Sequence, residues 1–401
     1  MSSATEGTGT AVGTVPGADA GTADFDHAAT TRVRPEVVEA MAPFNDGRYG
    51  NPSGSHLVAR DAVRAIDEAR EQIAEIVGCS PGDVIFTSGG TEADNHAITG
   101  GLPPRSGIPV CSAVEHHAVL DVVEALDGRV VGVDRQGRVD MAELGRTLEE
   151  LGEQTSVVSV MLVNNEIGTI NDLEAVATLV SGHQVDGQKI PVHTDAVQAA
   201  AWLDLKKHAT HADLISLSAH KLGGPKGMGA LIARKSAPVR AMILGGGQER
   251  ERRSGTPSVA GIVGFAAALS LIEAERDTTT ARVTRLRDRL LLGLSERVSG
   301  LVHTVDSSDL IPASCHICVE GADSESLLLL LEMGGVMASA GSSCASGARE
   351  SSHVLAAIGV TDELARGAVR LSLGVDTTDA DVDQVLAVLP QAVERVRAFG
   401  S

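Results

Sequence analysis

Short apolar runs alternate with amphipathic segments over residues 84–233, and this alternation is the dominant pattern of the chain. Apolar runs bounded by turn residues are typical of buried strands, whereas apolar residues three and four positions apart are typical of helices. The predicted strands are 84–87, 109–112, 129–133, 156–163, 191–194, 213–217 and 229–233. The predicted helices are 34–43, 57–77, 91–99, 116–126, 141–151 and 173–181.

This order predicts an α/β fold in which a mostly parallel sheet of seven strands is covered by helices on both faces. The pattern changes after Thr256, where residues 258–299 are helical and rich in charge. Residues 300–401 have strand and helix signals of their own. We therefore predict a large domain, 24–275, and a smaller α+β domain, 276–401, against which the first residues of the large domain also pack.

Composition and charge limit the possible functions. The 401 residues carry a formal net charge of −20, which disfavours a broad nucleic-acid or membrane-surface role. Residues 1–23 are rich in Gly, Ala, Thr and Ser and lack Lys and Arg, so they are predicted to form a disordered tail rather than a signal or transit peptide. Five sparse cysteines indicate free thiols. Together these features predict a cytoplasmic protein with no membrane and no direct nucleic-acid partner.

One of the six lysines, Lys221, lies between a strand end and a glycine-rich turn. Unlike an arginine, a lysine can lose its proton and attack a carbonyl, which is the requirement for a Schiff base with pyridoxal phosphate (PLP). A surface lysine in a loop is the plainer alternative. Because parallel sheets bind ligands at the carboxyl ends of their strands, the neighbouring strand ends decide between the two interpretations.

Two other strand ends carry residues suited to such a cofactor. The stretch 88–91, Ser-Gly-Gly-Thr, joins a strand to a helix start, where free N–H groups and the helix dipole favour a phosphate. A capping box explains the same residues. His193 and Asp195 share one face of another strand, where a buried carboxylate needs a cation such as a pyridinium nitrogen. An N-cap aspartate is the alternative there.

Two more strand ends complete the pattern. His116 opens a helix and is suited either to stacking on an aromatic cofactor or to a structural role. Asn164 and Asn165 end an apolar run, and their amides can bond a ring hydroxyl or a carboxylate, although a plain Asn-rich turn fits as well. Each signal is weak alone. Together they put a phosphate-binding turn, a stacking ring, an acid and a lysine at successive strand ends, as a PLP enzyme requires.

Cys344 lies among small residues in the stretch 339–347, with no bulky apolar neighbour to bury it. A buried structural cysteine is the commoner fate of a lone thiol, but an accessible thiol in such a stretch can attack a substrate sulfur and carry it away. Cys315 and Cys318 have a metal-like spacing but no second ligand pair, so no metal is predicted.

From about Phe25 to Arg397 the chain resembles the cysteine desulfurases of the class V aminotransferase group, which are PLP-dependent transferases of fold-type I. The stretch from Cys344 to His353 resembles the longer loop of the nitrogen-fixation and housekeeping enzymes. The segments that carry the resemblance are 26–31, 50–56, 89–95, 115–120, 164–168, 193–198, 216–229, 245–256 and 339–347.

The resemblance implies roles for the matched residues. Asn165, which would also lie against the cofactor, and Arg370 would receive the substrate carboxylate, which suits the fork of an arginine. The residues that it implies for the cofactor are Lys221 for the Schiff base, Asp195 for the pyridine nitrogen, Gln198 for the ring hydroxyl, His116 for stacking, and Gly90, Thr91, Ser218 and His220 for the phosphate.

The implied reaction converts L-cysteine to L-alanine and leaves the sulfur on Cys344 as a persulfide, with Lys221 moving the α-proton and His116 as a proton relay. The sulfur would pass to an acceptor protein, such as an iron–sulfur scaffold or a thiolation protein. Thr256 would reach the cofactor phosphate of a second subunit, which implies a homodimer. A selenocysteine lyase, a C–S lyase or an aminotransferase of the same fold is the alternative, and none of these needs Cys344. A non-catalytic scaffold is disfavoured by the intact Lys221, Asp195 and Arg370.

The chain departs from the family pattern at a few positions. His27 follows Asp26 where an asparagine is often found, and His96 stands at a helix position that is often apolar. Residues 350–352 are Glu-Ser-Ser in place of a frequent Glu-Pro-Ser. None of these changes removes an implied catalytic residue, and they leave the sulfur acceptor open.

Overall fold

A computed structural model describes residues 21–101, 107–306, 308, 310–341 and 352–400. Cys344 lies outside the described residues. The strands are β1 (Ala23–Asp24), β2 (Val84–Thr87), β3 (Ile108–Ser112), β4 (Arg129–Val131), β5 (Thr155–Ser159), β6 (Gln184–Val185), β7 (Gln188–Lys189), β8 (Val192–Asp195), β9 (Leu214–Ser218), β10 (Gly229–Ala233), β11 (Leu301–His303), β12 (Ser314–Val319), β13 (Val336–Met337) and β14 (Ala368–Ser372). The helices are α1 (Pro35–Met41), α2 (Leu57–Val77), α3 (Gly90–Thr99), α4 (His117–Ala125), α5 (Met141–Leu151), α6 (Leu173–Ser181), α7 (Leu205–His208), α8 (Gln248–Glu251), α9 (Val259–Arg297), α10 (Ser324–Met333), α11 (His353–Ala357), α12 (Asp362–Ala365) and α13 (Asp379–Gly400).

Seven strands form the central sheet, in the spatial order β2-β10-β9-β8-β5-β3-β4. Neighbours pair in parallel except at β10, which is antiparallel to both β2 and β9. The predicted α/β fold with a mostly parallel seven-stranded sheet is therefore confirmed. The register pairs Gly229 at the start of β10 with Thr87 and with Ser218. The ends of β2 and β9 thus meet at the sheet edge where such folds bind ligands.

The β9–β10 hairpin needs glycine at two close approaches. After β9, a single 3₁₀ turn (Ala219–Lys221) carries Lys221 to the sheet edge. Gly223 follows at φ 76°, in the left-handed region, and a Cβ there would meet the Arg34 side chain at 2.7 Å. A Cβ on Gly229 would lie 2.7 Å from the backbone of Gly89. The hairpin therefore lets the chain just before α3 approach β10 closely.

A smaller antiparallel sheet, in the order β11-β12-β14, carries Arg370 on β14 opposite His316 of β12. The first strand, β1, pairs in parallel with β13, so that Ala23 lies opposite Val336 with its side chain fully buried. Residue 23, assigned to the disordered tail, is therefore already in a strand. Backbone hydrogen bonds hold this strand, such as Ala23 N to Gly335 O at 2.8 Å, and composition does not reveal such bonds.

The 39-residue helix α9 runs through the predicted domain boundary at residue 275 without a break. It packs against α1, where a Cβ on Gly264 would meet Met41, and against α13, where one on Gly293 would meet Leu386. Within the described ranges, no helix is both long enough and apolar enough to cross a membrane.

The strand predicted over 156–163 is shorter in the structure, where β5 ends at Ser159. Val160 N and Leu162 N still donate to the backbone of the β8 segment, at His193 O and Asp195 O. On the other side the partner strand β3 has ended, and Met161 N donates instead to Glu115 Oε1 at 2.7 Å. A side-chain carboxylate thus takes the place of the backbone partner that a neighbouring strand would supply. Hydrophobic periodicity does not reveal such a replacement.

A buried ion pair holds the segment that leads to Thr256. Arg70 on α2 donates to both carboxylate oxygens of Glu249, at 2.8 Å each, and the two side chains are 9% and 5% exposed. Glu249, Arg250 and Glu251 have φ of 49°, 57° and 65°, a left-handed conformation that is uncommon for residues with a Cβ. We infer that the ion pair compensates for this unfavourable backbone.

Replacing Arg70 should therefore cost far more than replacing an exposed arginine. Arg70→Met leaves the Glu249 carboxylate buried without its cation and should lower the free energy of unfolding by about 3–5 kcal/mol. Arg285→Met, which removes an exposed pair with Asp379, should change it little. Denaturant titration followed by circular dichroism measures both variants, and equal losses would contradict the prediction.

Candidate active site

A cavity of about 270 Å³ lies at the sheet edge where β8 and β9 end. Thr256 is exposed and does not line this cavity of its own chain. The sequence-predicted residues that line the cavity are Gly90, Thr91, His116, Asn165, Asp195, Gln198, Ser218, His220, Lys221 and Arg370.

The amine of Lys221 is held against the N-terminal segment. Its Nζ donates to Ala28 O at 2.5 Å and to Ala29 O at 2.7 Å. Gln198 Nε2 donates to the same Ala28 O at 2.8 Å. Two backbone carbonyls thus orient the lysine in the cavity wall, although neither alanine has a side chain that signals this role.

The N-terminal segment is in turn attached to the hairpin turn. Thr31 Oγ1 donates to His220 O at 2.8 Å, and Thr30 Oγ1 lies 3.0 Å from His220 Nδ1. Burial and the nearby Lys221 and Lys226 lower the pKa of His220 to about 4, so its ring is neutral at physiological pH. It can therefore serve as a neutral hydrogen-bonding group at this end of the cavity.

One end of the cavity has the features of a phosphate site. Ser218 Oγ is buried and has no hydrogen-bond partner among the described residues. The ten-residue helix α3 begins at Gly90, where free backbone N–H groups and the helix dipole favour an anion. A Cβ on Gly90 would meet Val197 at 2.9 Å, so glycine is required for α3 to begin this close to β8. The unpartnered hydroxyl and the helix start fit a phosphate group.

Asp195 also lines the cavity, 7% exposed at the end of β8. Val197 N donates to its Oδ1 at 2.8 Å. Burial raises the pKa of Asp195. This hydrogen bond, His116 in its protonated form and the charge of Lys221 act in the opposite direction but do not cancel the shift. A buried acid in this situation is stabilised by a cation, and the protonated nitrogen of a pyridine ring is one.

His116 is the N-cap of α4, and its Nδ1 accepts a hydrogen bond from Ala118 N at 3.1 Å. The ring proton of the neutral form is therefore on Nε2. Burial lowers the pKa of His116. The charge of Asp195 acts against this shift, and the charge of Lys221 adds to it. The cavity is thus lined by a neutral, planar ring, and the helix-start interpretation and the stacking interpretation are compatible.

Arg370 is 2% exposed and has one edge of its guanidinium already engaged. Nη1 donates to Asn165 O and Gly341 O, both at 3.2 Å, and Nη2 donates to Asp26 Oδ1 at 2.8 Å. Its buried Nε has no hydrogen-bond partner in the described ranges. An arginine has five N–H donors, so Nε–H and one hydrogen of Nη2 are not used by these bonds. Two N–H donors of a guanidinium suit a carboxylate.

The two asparagines of the 164–168 turn have different places. Asn164 is buried, its Nδ2 donates to Val114 O at 3.0 Å, and its Oδ1 accepts from Glu166 N and Ile167 N. It is a structural turn residue, as the plainer interpretation expected. Asn165 lines the cavity beside Arg370.

The residues that flank 342–351 lie at the cavity. Gly341 lines it, and so does His353, whose Nε2 lies 2.9 Å from Glu115 O. Ser352 Oγ donates to Glu166 Oε2 at 2.6 Å. The stretch that contains Cys344 therefore begins and ends at the wall of this cavity.

Sequence reasoning missed several lining residues, among them Asp94, Glu166 and His353. The one local signal was Asp94, an acid between the apolar Ala93 and Ala97 on the buried face of α3. A second cavity of about 300 Å³ adjoins the first. The residues that line both cavities are Ala28, Asn165, Glu166, Gln198, Lys221 and Arg370.

Comparison with known proteins identifies the family. The family model described as aminotransferase class-V matches residues 24–385. Cysteine desulfurase IscS of Dictyoglomus turgidum is 40% identical over 383 residues, which cover 94% of this chain and 95% of that protein. Cysteine desulfurase IscS of Methanosarcina thermophila is 39% identical over 381 residues, covering 93% and 92%.

Solved structures give the same result. A NifS-like protein superposes with a TM-score of 0.85 at 33% identity, covering 93% of this chain and 100% of that one. SspA in complex with cysteine superposes with a TM-score of 0.74 at 30% identity, covering 88% and 99%. The fold is thus that of a class V aminotransferase. Within that family the chain belongs to the cysteine desulfurases, which confirms the resemblance identified from the sequence.

His27, where the family often has asparagine, ties the N-terminal segment to the end of β14. Its Nε2 lies 2.9 Å from Asp376 Oδ1, and its Nδ1 lies 3.2 Å from Ser372 O. Burial lowers the pKa of His27, but the hydrogen bond with Asp376 and the charge of Asp24 outweigh it, so the pKa is raised above its usual 6.5. Folding therefore favours the charged imidazolium.

The protein should accordingly lose stability as the pH rises through the raised pKa of His27. The stabilisation is fully present below the unfolded-state pKa of about 6.5, because His27 is then protonated in both states, and it disappears above the folded-state pKa. His27→Asn and Asp376→Asn should both flatten this part of the curve. Denaturant titrations from pH 6 to 9 measure it, and an unchanged slope in both variants would refute the assignment.

Proposed function

We propose that this cysteine desulfurase converts L-cysteine to L-alanine in the cavity and transfers the sulfur to Cys344 as a persulfide. The observation that carries the proposal is the convergence of Lys221, Asp195 and Arg370 on one cavity. The wall of that cavity includes Gly341, which directly precedes the stretch that contains Cys344.

PLP is the cofactor that the cavity residues fit. Lys221 would hold it covalently through Nζ, Asp195 would face its ring nitrogen, and His116 would stack on its ring. When bound, PLP supplies an electron sink next to the substrate α-carbon. The residues that would surround the rest of it are Gln198 and Asn165 at the ring, and Gly90, Thr91, Ser218 and His220 at the phosphate.

The substrate carboxylate would bind the open edge of Arg370, with Asn165 beside it. This holds the α-carbon near Lys221, because both residues line the same cavity. Lys221 Nζ, once free, would remove the α-proton as a general base. His116, neutral with its proton on Nε2, is suited to pass a proton within the cavity.

Sulfur transfer needs a second thiol. The Cys344 thiolate would attack the substrate sulfur, forming an S–S bond while the substrate C–S bond breaks and its electron pair remains on carbon, which is then protonated. Alanine and a Cys344 persulfide result, so no external oxidant or reductant is needed at this step. A sulfur-acceptor protein, such as an iron–sulfur scaffold or a thiolation protein, would then take the terminal sulfur.

A homodimer belongs to the same proposal. Thr256 is exposed and lies away from the cavity of its own chain, as a residue that serves a second subunit should. The strained segment 249–251, held by the buried Arg70, leads directly to it.

Removing the Cys344 thiol should stop sulfide production but not cofactor binding. With L-cysteine, PLP and a dithiol reductant, Cys344→Ala should release sulfide at least about 100-fold more slowly than the unaltered protein. It should keep an absorbance band near roughly 400 nm, which reports the lysine-bound cofactor.

Cys79→Ala, which removes a half-buried thiol elsewhere, should behave normally and serves as the control. Sulfide release from Cys344→Ala at the original rate would exclude the persulfide mechanism. Normal turnover by Lys221→Ala would exclude the whole site.

Substituting Arg370 tests the carboxylate site. Arg370→Lys keeps a positive charge but cannot donate two parallel hydrogen bonds from one edge, so kcat/KM for L-cysteine should fall by about 100-fold. Arg297→Lys, which alters an arginine that bonds Gly293 O within its own helix, is the matched control. Steady-state alanine formation measures both, and equal kcat/KM in the two variants would rule out this role for Arg370.

A further inference from the structure

One buried acid in the cavity has no part in the reaction proposed above. Asp94, on the buried face of α3, is 1% exposed and lines the cavity together with Asp195. Its Oδ1 makes no hydrogen bond within the described part of the chain. His193 Nε2 lies 3.6 Å from this oxygen. A buried carboxylate without a cation is costly, so the charge of Asp94 depends on whether His193 is protonated.

His193 does not supply a positive charge. Its ring is completely buried, with Nδ1 2.8 Å from Ser159 Oγ and Nε2 3.0 Å from Ser216 Oγ. Both partners are neutral hydroxyl groups. Burial lowers the pKa of His193 to about 3, so the ring is neutral at physiological pH. Asp94 and His193 are therefore close but do not form an ion pair.

The other ionisable groups that act on Asp94 are acids. Burial and then the charge of Asp195 raise the pKa of Asp94 well above its usual 3.8; a hydrogen bond with Ser216 acts against this shift, and the charge of Glu115 adds to it. Asp195 is better placed to ionise, because Val197 N donates to it and the charge of Lys221 favours its carboxylate. When two carboxyl groups share one buried site, one of them keeps its proton.

We propose that Asp94 is a positioning residue, which holds a proton beside Asp195 and keeps Asp195 as the single carboxylate that faces the ring nitrogen of the cofactor. This inference rests on the proposed function, since it assumes PLP in the cavity. A neutral Asp94 adds no second negative charge next to the ring, and its O–H can donate a hydrogen bond. Asparagine would keep the shape and a neutral donor, whereas alanine would remove the donor.

Cofactor affinity tests this role without relying on turnover. The PLP dissociation constant of the full-length apoprotein would be measured by absorbance titration for the unaltered protein, Asp94→Asn, Asp94→Ala and Asp195→Asn. Asp94→Asn should bind within about threefold of the unaltered protein, and Asp94→Ala about tenfold more weakly, because the neutral hydrogen-bonding group beside Asp195 is lost. Asp195→Asn should bind far more weakly than either, because it removes the charge.

The stability of the apoprotein gives a second readout. An acid whose pKa is raised by folding binds fewer protons in the unfolded chain, so stability falls as the pH rises from about 4 toward the folded-state pKa. Asp94→Asn should reduce this slope, to which Asp195 and Glu115 also contribute, and should raise the melting temperature at neutral pH. An unaltered slope in Asp94→Asn would overturn the assignment of the proton to Asp94.

The affinity outcomes separate the alternatives. If Asp94→Asn lost as much affinity as Asp195→Asn, Asp94 would be a charged partner of the ring, and the inference would be wrong. If Asp94→Ala bound PLP like the unaltered protein, its role would be structural alone. A failure of the unaltered protein to bind PLP would overturn the proposed function itself, a result distinct from either of these.

Discussion

The arrangement of the site depends on the contact between Lys221 and the backbone of the N-terminal segment. The lysine comes from the turn after β9, whereas Ala28 and Ala29 precede it by almost two hundred residues. The same segment reaches the smaller sheet, because Ala28 N donates to Ser372 Oγ and Asp26 accepts from Arg370. One short segment therefore positions both groups, the amine through the carbonyls of Ala28 and Ala29 and the guanidinium through the Asp26 side chain, which explains how two distant parts of the chain form one cavity.

Electrostatics in the cavity follow from burial. Asp94, Glu115 and Asp195 are all buried, and burial raises the pKa of each. The histidines around them, His116 and His193, are kept neutral by the same burial. Among the described residues that line the cavity, Arg370 is already paired with Asp26, and Lys221 is the cation that acts on Asp195. A protonated pyridine ring would supply the missing cation, so this charge distribution itself favours such a cofactor.

Hydrophobic periodicity and capping residues predicted the helices whose ends they determine. Helices α5 and α6 match the sequence prediction to the residue, since each begins after an aspartate N-cap, Asp140 and Asp172, and ends at a glycine. The strand-end residues around Lys221 also follow from strand order. The contributions of Ala28 and of β1 could not be predicted from the sequence, because they depend on backbone hydrogen bonds over long sequence separations. Such bonds leave no periodic signal. Asp94 was missed for the same reason: its place on the apolar face of α3 was a local signal, but its neighbours His193 and Asp195 come from a distant strand.

The turn 164–168 joins the part of the site proposed for substrate binding to the part proposed for sulfur transfer. Asn164 stabilises it from within, and Gly168 closes it at φ 80°, where a Cβ would lie 2.2 Å from Ser314. The backbone of Asn165 then accepts from Arg370, while the next residue, Glu166, accepts from Ser352 at the end of the stretch that contains Cys344. The turn thus contacts both Arg370, which would hold the substrate carboxylate, and Ser352, which follows the stretch that contains Cys344. A displacement of this turn would move Arg370 relative to Lys221, so its internal hydrogen bonds would support the proposed site.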